Sequence, residues 1–230
     1  MSWKVPGGND KGFGTTDTTW QVDSNITVSI WVYMTTAGML VRKNPGGGEP
    51  RWNLDAGVGG GTNQVQFGAK TNSGHPNKMH STAVTLNAWH HIVGRRGSDE
   101  ITCALDGVIQ TTSGDGTGGV NDGPVALGVA NAYSGGSAGS GMAGWIAEFS
   151  LWNAILTDAQ IGLLYKGVSP LLIRRSGLMI YAPIYGMAAP LPDFSGNGRH
   201  LIKQGTDANF VADETKHPSV QRQFGFSQVA

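Results

Sequence analysis

Hydrophobic and polar positions alternate with period two along most of this chain, the spacing of half-buried strands. From Asn25 to Met34, Ile26, Val28, Ile30, Val32 and Met34 alternate with Thr27, Ser29, Trp31 and Tyr33. The same pattern predicts strands over 38–43, 51–56, 63–70, 79–86, 87–94, 100–106, 108–112, 124–129 and 176–185. Turn clusters separate them: Asn44-Pro45-Gly46-Gly47-Gly48-Glu49-Pro50 can continue neither neighbour, and Asp106-Gly107 is a two-residue hairpin signal. The central stretch runs from Gly144 to Asn153. There strict alternation places Trp145, Ala147, Phe149 and Leu151 on one face and Ile146, Glu148, Ser150 and Trp152 on the other. One short helix is predicted near 157–166: Thr157 and Gln160 form a capping box, Asp158 suits the positive helix end, and Ile161, Leu164 and Tyr165 make a stripe that Gly167 and Pro170 terminate.

Many strands and one late helix indicate an all-β fold, an antiparallel two-sheet β-sandwich. Residues 1–206 form that domain, and the polar, weakly patterned 207–230 reads as an extended C-terminal arm. Glycine, 36 of 230 residues, agrees with many turns. A charged fraction of 14% with zero net charge leaves no basic stripe for nucleic acid. No run approaches the ~18 apolar residues of a membrane span, and the start, Met1-Ser2-Trp3-Lys4, lacks a secretory pattern. Cys103, between Ile101 and Leu105 on one strand face, reads as a buried apolar thiol.

Ile26–Val32, Trp89-His90-His91-Ile92-Val93, Leu105-Asp106-Gly107 and Gly144–Asn153 followed by Leu156–Ile161 resemble successive landmarks of the laminin-G-like and pentraxin-like branch of the concanavalin A-like jelly rolls. The resemblance covers roughly 20–165, and Asp193–His200 is similar to an edge segment of such domains. It implies two packed antiparallel sheets with any ligand on the concave sheet or its rim. Fold alone does not fix chemistry.

A glycosidase of this fold needs two carboxyl groups on one groove, about 5 to 5.5 Å apart for retention. Glu148 has Ile146, Ser150 and Trp152 as same-face neighbours, and Glu49, Glu100 and Glu214 fall in or beside loops, so the chain reads as non-catalytic. His90 and His91 point to opposite strand faces, one within the sandwich and one near solvent, and cannot share an ion. Calcium is an open possibility through Asp10, Asp115, Asn121 and Asp122, which are also ordinary turn residues. Trp31, Trp89, Trp145 and Trp152 are expected in the core, leaving Trp52 and Tyr133 as the exposed candidates for stacking a sugar ring.

Two functions follow. The first is a structural or adhesion subunit on the virion surface, attached to a protein assembly such as a viral capsid, as a homo-oligomer or otherwise, with Val220, Phe224 and Phe226 as docking anchors in the arm. The Leu178–Pro183 segment and His217-Pro218 tail are similar to stand-alone domains among tailed-phage structural proteins, which decorate capsids or bind host glycans. The alternative is a carbohydrate-binding, lectin-like module that binds surface glycans, calcium-dependent or not, acting outside the cell.

Overall fold

Alternation in the sequence becomes two layers because each strand must bury one face. In the computed structural model, described over residues 2–7, 12–15, 17–22, 24–43, 51–57, 63–71, 74–97, 100–113, 123, 127–130, 141–184, 189–204 and 211–213, the strands are these. In chain order they are β1 (Ser2–Pro6), β2 (Gly12–Gly14), β3 (Ile26–Thr36), β4 (Met39–Lys43), β5 (Trp52–Ala56), β6 (Gln64–Ala69), β7 (Asn77–Ala83), β8 (Trp89–Arg96), β9 (Glu100–Leu105) and β10 (Val108–Ser113). There follow β11 (Leu127–Val129), β12 (Ala143–Trp152), helices α1 (Asp158–Tyr165) and α2 (Pro170–Ile173), then β13 (Leu178–Ala182), β14 (Ile202–Gln204) and β15 (Val211–Asp213). The first sheet has the order β10-β9-β8-β3-β12-β1-β15, with β13 also paired to β12, and the second runs β14-β2-β11-β4-β5-β6-β7. Every described strand pairing is antiparallel. The fold is therefore the expected antiparallel sandwich.

The core lies between the sheets. Ile26, Val28, Ile30, Val32 and Met34 of β3 face Trp52, Leu54, Val65 and Phe67 of the second sheet, all without solvent exposure. Each such side chain contributes roughly 1.5–3 kcal/mol of burial. Contact is close enough that a Cβ on Gly94 of β8 would lie well inside van der Waals contact with Cδ2 of the Phe67 ring. The Asp106-Gly107 turn has both residues at positive φ, 51° and 81°, the geometry that joins β9 to β10.

Strict alternation fails in β12. Ala147 pairs with Trp31 and Ser150 with Ser29, so Glu148 and Phe149 together oppose Ile30, and Glu148 takes φ 51°. The bulge shifts the phase of the strand. Ile146 joins Phe149 and Leu151 in the core between the sheets, whereas Trp152 faces the opposite way; the strict two-face assignment is corrected accordingly.

A second, smaller core covers part of the outer face of the first sheet. Ile161 and Leu164 of α1 pack with Val93, Ala104, Trp152 and Tyr181. The predicted capping box is present: Thr157 Oγ1 accepts from Gln160 N, and Gln160 Oε1 accepts from Thr157 N. Pro170 does not end the helical region. It opens α2, where a missing N–H costs nothing, with Ser169 as N-cap. Arg95 ties this layer to the sheet, donating through Nη1 to Leu156 O and Asp158 Oδ1, both at 2.7 Å. Residues 211–213, within the segment assigned to the arm, form a strand beside β1.

Candidate ligand-binding face

Trp52, Leu54 and Ala56 of β5 point into the core, so Asn53 and Asp55 point out of the second sheet. The same alternation in β6 buries Val65, Phe67 and Ala69 and turns Gln64, Gln66 and Gly68 outward. Register then gathers a polar patch. Arg42 pairs with Asn53, Asp55 with Gln66, and Asn53 with Gly68. Gly14 and Gly128, paired with each other, continue the strip toward β2 and β11 without side chains.

Asp55 organises the patch. Its Oδ2 accepts from Arg42 Nη2 at 3.1 Å and from Asn53 Nδ2 at 2.5 Å. Burial pushes the Asp55 carboxyl up, and the Arg42 guanidinium opposes that shift. The bond from Nδ2 to a carboxylate fixes the Asn53 amide, because the flipped amide would set oxygen against oxygen. Asn53 Oδ1 is therefore aimed away from Asp55, and it is buried with no protein partner.

His75 lies across from it. A Cβ on Gly68 would sit 2.7 Å from His75 Cε1 and 3.2 Å from both His75 Nδ1 and Asn53 Oδ1, so the imidazole covers the glycine and shares its space with the amide. His75 Nε2 is the second buried polar atom here without a protein partner. Two unsatisfied groups flank one glycine. Each such group costs roughly 1–3 kcal/mol if nothing meets it, and one hydroxyl satisfies both when His75 carries its proton on Nε2, donating to Asn53 Oδ1 and accepting from Nε2–H.

The expected sites fare differently. Trp52 is not an exposed platform: it has no solvent exposure and fills the core, since β5 turns its odd partners outward. Tyr133, Asp10, Asp115, Asn121, Asp122, Val220, Phe224 and Phe226 lie outside the described residues. Trp31 and Trp152 are buried as expected, while Trp89 and Trp145 are half-buried on the outer face of the first sheet. Arg42, Asn53, Asp55 and His75 were not singled out from sequence, although the alternation Trp52-Asn53-Leu54-Asp55-Ala56 already sets the two polar residues on one face.

Other reactive groups are occupied structurally. His90 and His91 do diverge, but both are buried: His90 Nδ1 bonds Asp106 Oδ2 at 2.6 Å, and His91 Nε2 bonds Ser29 Oγ at 2.9 Å. The expectation of one histidine near solvent is corrected, because the Thr85 hydroxyl and the turn carboxylate enclose His90. Glu148 sits beneath the helices and accepts from the Tyr181 hydroxyl at 2.9 Å, beside a cavity of about 10 Å³, room for one water. Cys103 is buried, its thiol pushed up to about 12 by burial and directed at Lys78 O.

The family model for the concanavalin A-like lectin/glucanases superfamily, of laminin G type, matches residues 7–162. No curated protein matches the sequence. Among solved structures, a candidate carbohydrate-binding protein from Bacteroides ovatus aligns with a TM-score of 0.63 at 13% identity, over 88% of this chain and 59% of that one. The chain thus spans little more than half of that protein. A heptameric SAP-like pentraxin from Limulus polyphemus aligns with a TM-score of 0.54 at 13% identity, over 74% and 83% of the two chains. The CBM40 module of the Ruminococcus gnavus IT-sialidase, bound to α2,3-sialyllactose, gives 0.52 at 11% identity over 72% and 98%. The matched structures are mainly binding domains.

Proposed function

Because the chain belongs to the concanavalin A-like lectin/glucanases superfamily, we propose that it is a non-catalytic glycan-binding sandwich whose ligand lies on the outer face of the second sheet, beside Asn53 and the His75 ring that covers Gly68. The observation that carries this is the pair of buried, unsatisfied atoms, Asn53 Oδ1 and His75 Nε2, on two side chains that meet over Gly68. A sugar hydroxyl supplies what both lack. Arg42 and Asp55 next to them offer the planar donors and acceptors that fix the orientation of a neighbouring hydroxyl. The similarity to the Bacteroides ovatus and CBM40 structures supports a glycan as the ligand class, and Glu148, enclosed with Tyr181 under the helices, supports the non-catalytic assignment.

A glycan array followed by titration calorimetry tests it, with wild type and Asn53→Ala compared in calcium and in chelator. We expect binding that Asn53→Ala weakens about tenfold, the order of one lost hydrogen bond with its partner left unpaired. Silence on the array, or equal affinity in the variant, overturns the site. Loss on chelation would move it to Asp10, Asp115, Asn121 and Asp122. The setting on a tailed-phage virion belongs to the same proposal, supported by the likeness of Leu178–Pro183 and the His217-Pro218 tail. Proteomics of purified particles tests that part: the chain should be present, and an arm lacking Val220, Phe224 and Phe226 should fail to attach.

A further inference from the structure

The opposite sheet carries a different kind of surface. Trp89 of β8 pairs with Tyr33 of β3, Tyr33 with Trp145 of β12, and Trp145 with Lys4 of β1, so four adjacent strands set one row of side chains across the outer face. The rings interlock edge to face. Tyr33 lies 5.2 Å from Trp145 at 89° and 5.9 Å from Trp89 at 69°. All four side chains are half-buried. Tyr165, the last residue of α1, stacks on Trp31 in the adjacent row, 6.0 Å between centroids, and the helix ends there.

Beside the row is an open cleft of about 320 Å³, walled by Lys4, Pro6, Thr35 and Trp145 and floored by Gly144. The floor is bare backbone by necessity. Gly144 has φ 139°, and a Cβ there would collide with Tyr33 O, so no larger residue fits. Lys4 is the one charged residue among the described lining of the cleft. Its Nζ lies 5.6 Å from the centre of the Trp145 ring, and no described carboxylate neutralises it. The cleft thus joins an apolar aromatic wall to a cation that no described carboxylate neutralises.

We infer that this cleft is a second binding site, for a pyranose ring bearing a carboxylate, such as a hexuronate, its apolar face against Trp145 and its carboxylate on Lys4. The inference goes beyond the site at Asn53 and His75, since the two lie on different sheets. Aromatic rings hold the C–H face of a sugar. An ammonium against that apolar wall is less screened than one in open water and discriminates by charge.

The test is solution NMR and calorimetry on the full chain, with a galacturonate trimer and a neutral galactose trimer as probes. The acidic trimer should shift the indole N–H signals of Trp145 and Trp89 and bind more tightly than the neutral one. Lys4→Gln should weaken the acidic trimer about fivefold, the upper range for a partly exposed ion pair, and Lys4→Arg should restore it. Asn53→Ala should leave it untouched. The inference fails if the two trimers bind equally, if the indole signals do not move, or if Asn53→Ala abolishes acidic binding while Lys4→Gln does not. Neutral-sugar binding at Asn53 and His75 is read separately in the same spectra, so either site can fail alone.

Discussion

His91 makes the stability of this fold depend on pH in a window that can be calculated. Its ring lies 5.2 Å from Trp31 and 6.2 Å from Tyr165, Nε2 bonds the Ser29 hydroxyl, and Nδ1 is buried with no partner. A proton on Nδ1 would have nothing to donate to. Burial pulls the His91 pKa down from 6.5 to about 3, against the opposing pull of the Asp106 charge. The folded state therefore stays neutral while the unfolded chain takes up a proton below its own pKa. Stability is full above pH 6.5 and falls as pH drops toward 3, by about 1.4 kcal/mol per unit. Asp106, with its pKa held below 3.8 by hydrogen bonds to His90 and the His91 backbone despite burial, titrates lower, while Asp55, pushed up by burial, acts in the opposite sense in wild type and variant alike, so the difference between the two isolates His91. Urea unfolding at about pH 7.5, 6.5, 5.5 and 4.5 measures the slope. We expect His91→Gln to be less stable at neutral pH but to lack about 2–3 kcal/mol of the loss seen in wild type between about pH 6.5 and 4.5. Parallel pH profiles for the two proteins would refute the burial argument.

Three further outcomes follow from the packing. Gly94→Ala drives a methyl group into the Phe67 ring and should cost about 1–3 kcal/mol, read as a lowered thermal midpoint; an unchanged midpoint would mean that the sheets slide apart freely. Thr157→Ala removes the α1 cap and should cost about 1 kcal/mol in chemical denaturation. Cys103, buried and pushed up to about 12, should resist maleimide in the native protein and react only on unfolding; rapid native labelling would contradict its place in the core.

Much of the architecture is local in origin and legible in the sequence. The alternation in Ile26–Met34, the Asp106-Gly107 turn and the Thr157–Gln160 box each rest on contacts within a few residues, and all three form as expected. What failed depended on partners distant in the chain. The bulge at Glu148 arises because β12 must meet β3 on one side while β1 and β13 share the other, and a strict period of two cannot reveal it. Trp52 is an exposed candidate for a sugar when the other tryptophans are assigned to the core, but the parity of β5 is set by Phe67 and Ala69 across the strand pair. The patch of Arg42, Asn53, Asp55 and His75 comes from two strands and the segment between β6 and β7, and its defining property, two polar atoms left unsatisfied near Gly68 of a third strand, exists only after register is fixed. The row from Trp89 to Lys4 is likewise four residues far apart in sequence. Short-range sterics and periodicity determine which segments are strands and which face of each is apolar. Pairing between strands decides which polar and aromatic groups meet, because that choice is made by the burial of the whole sandwich.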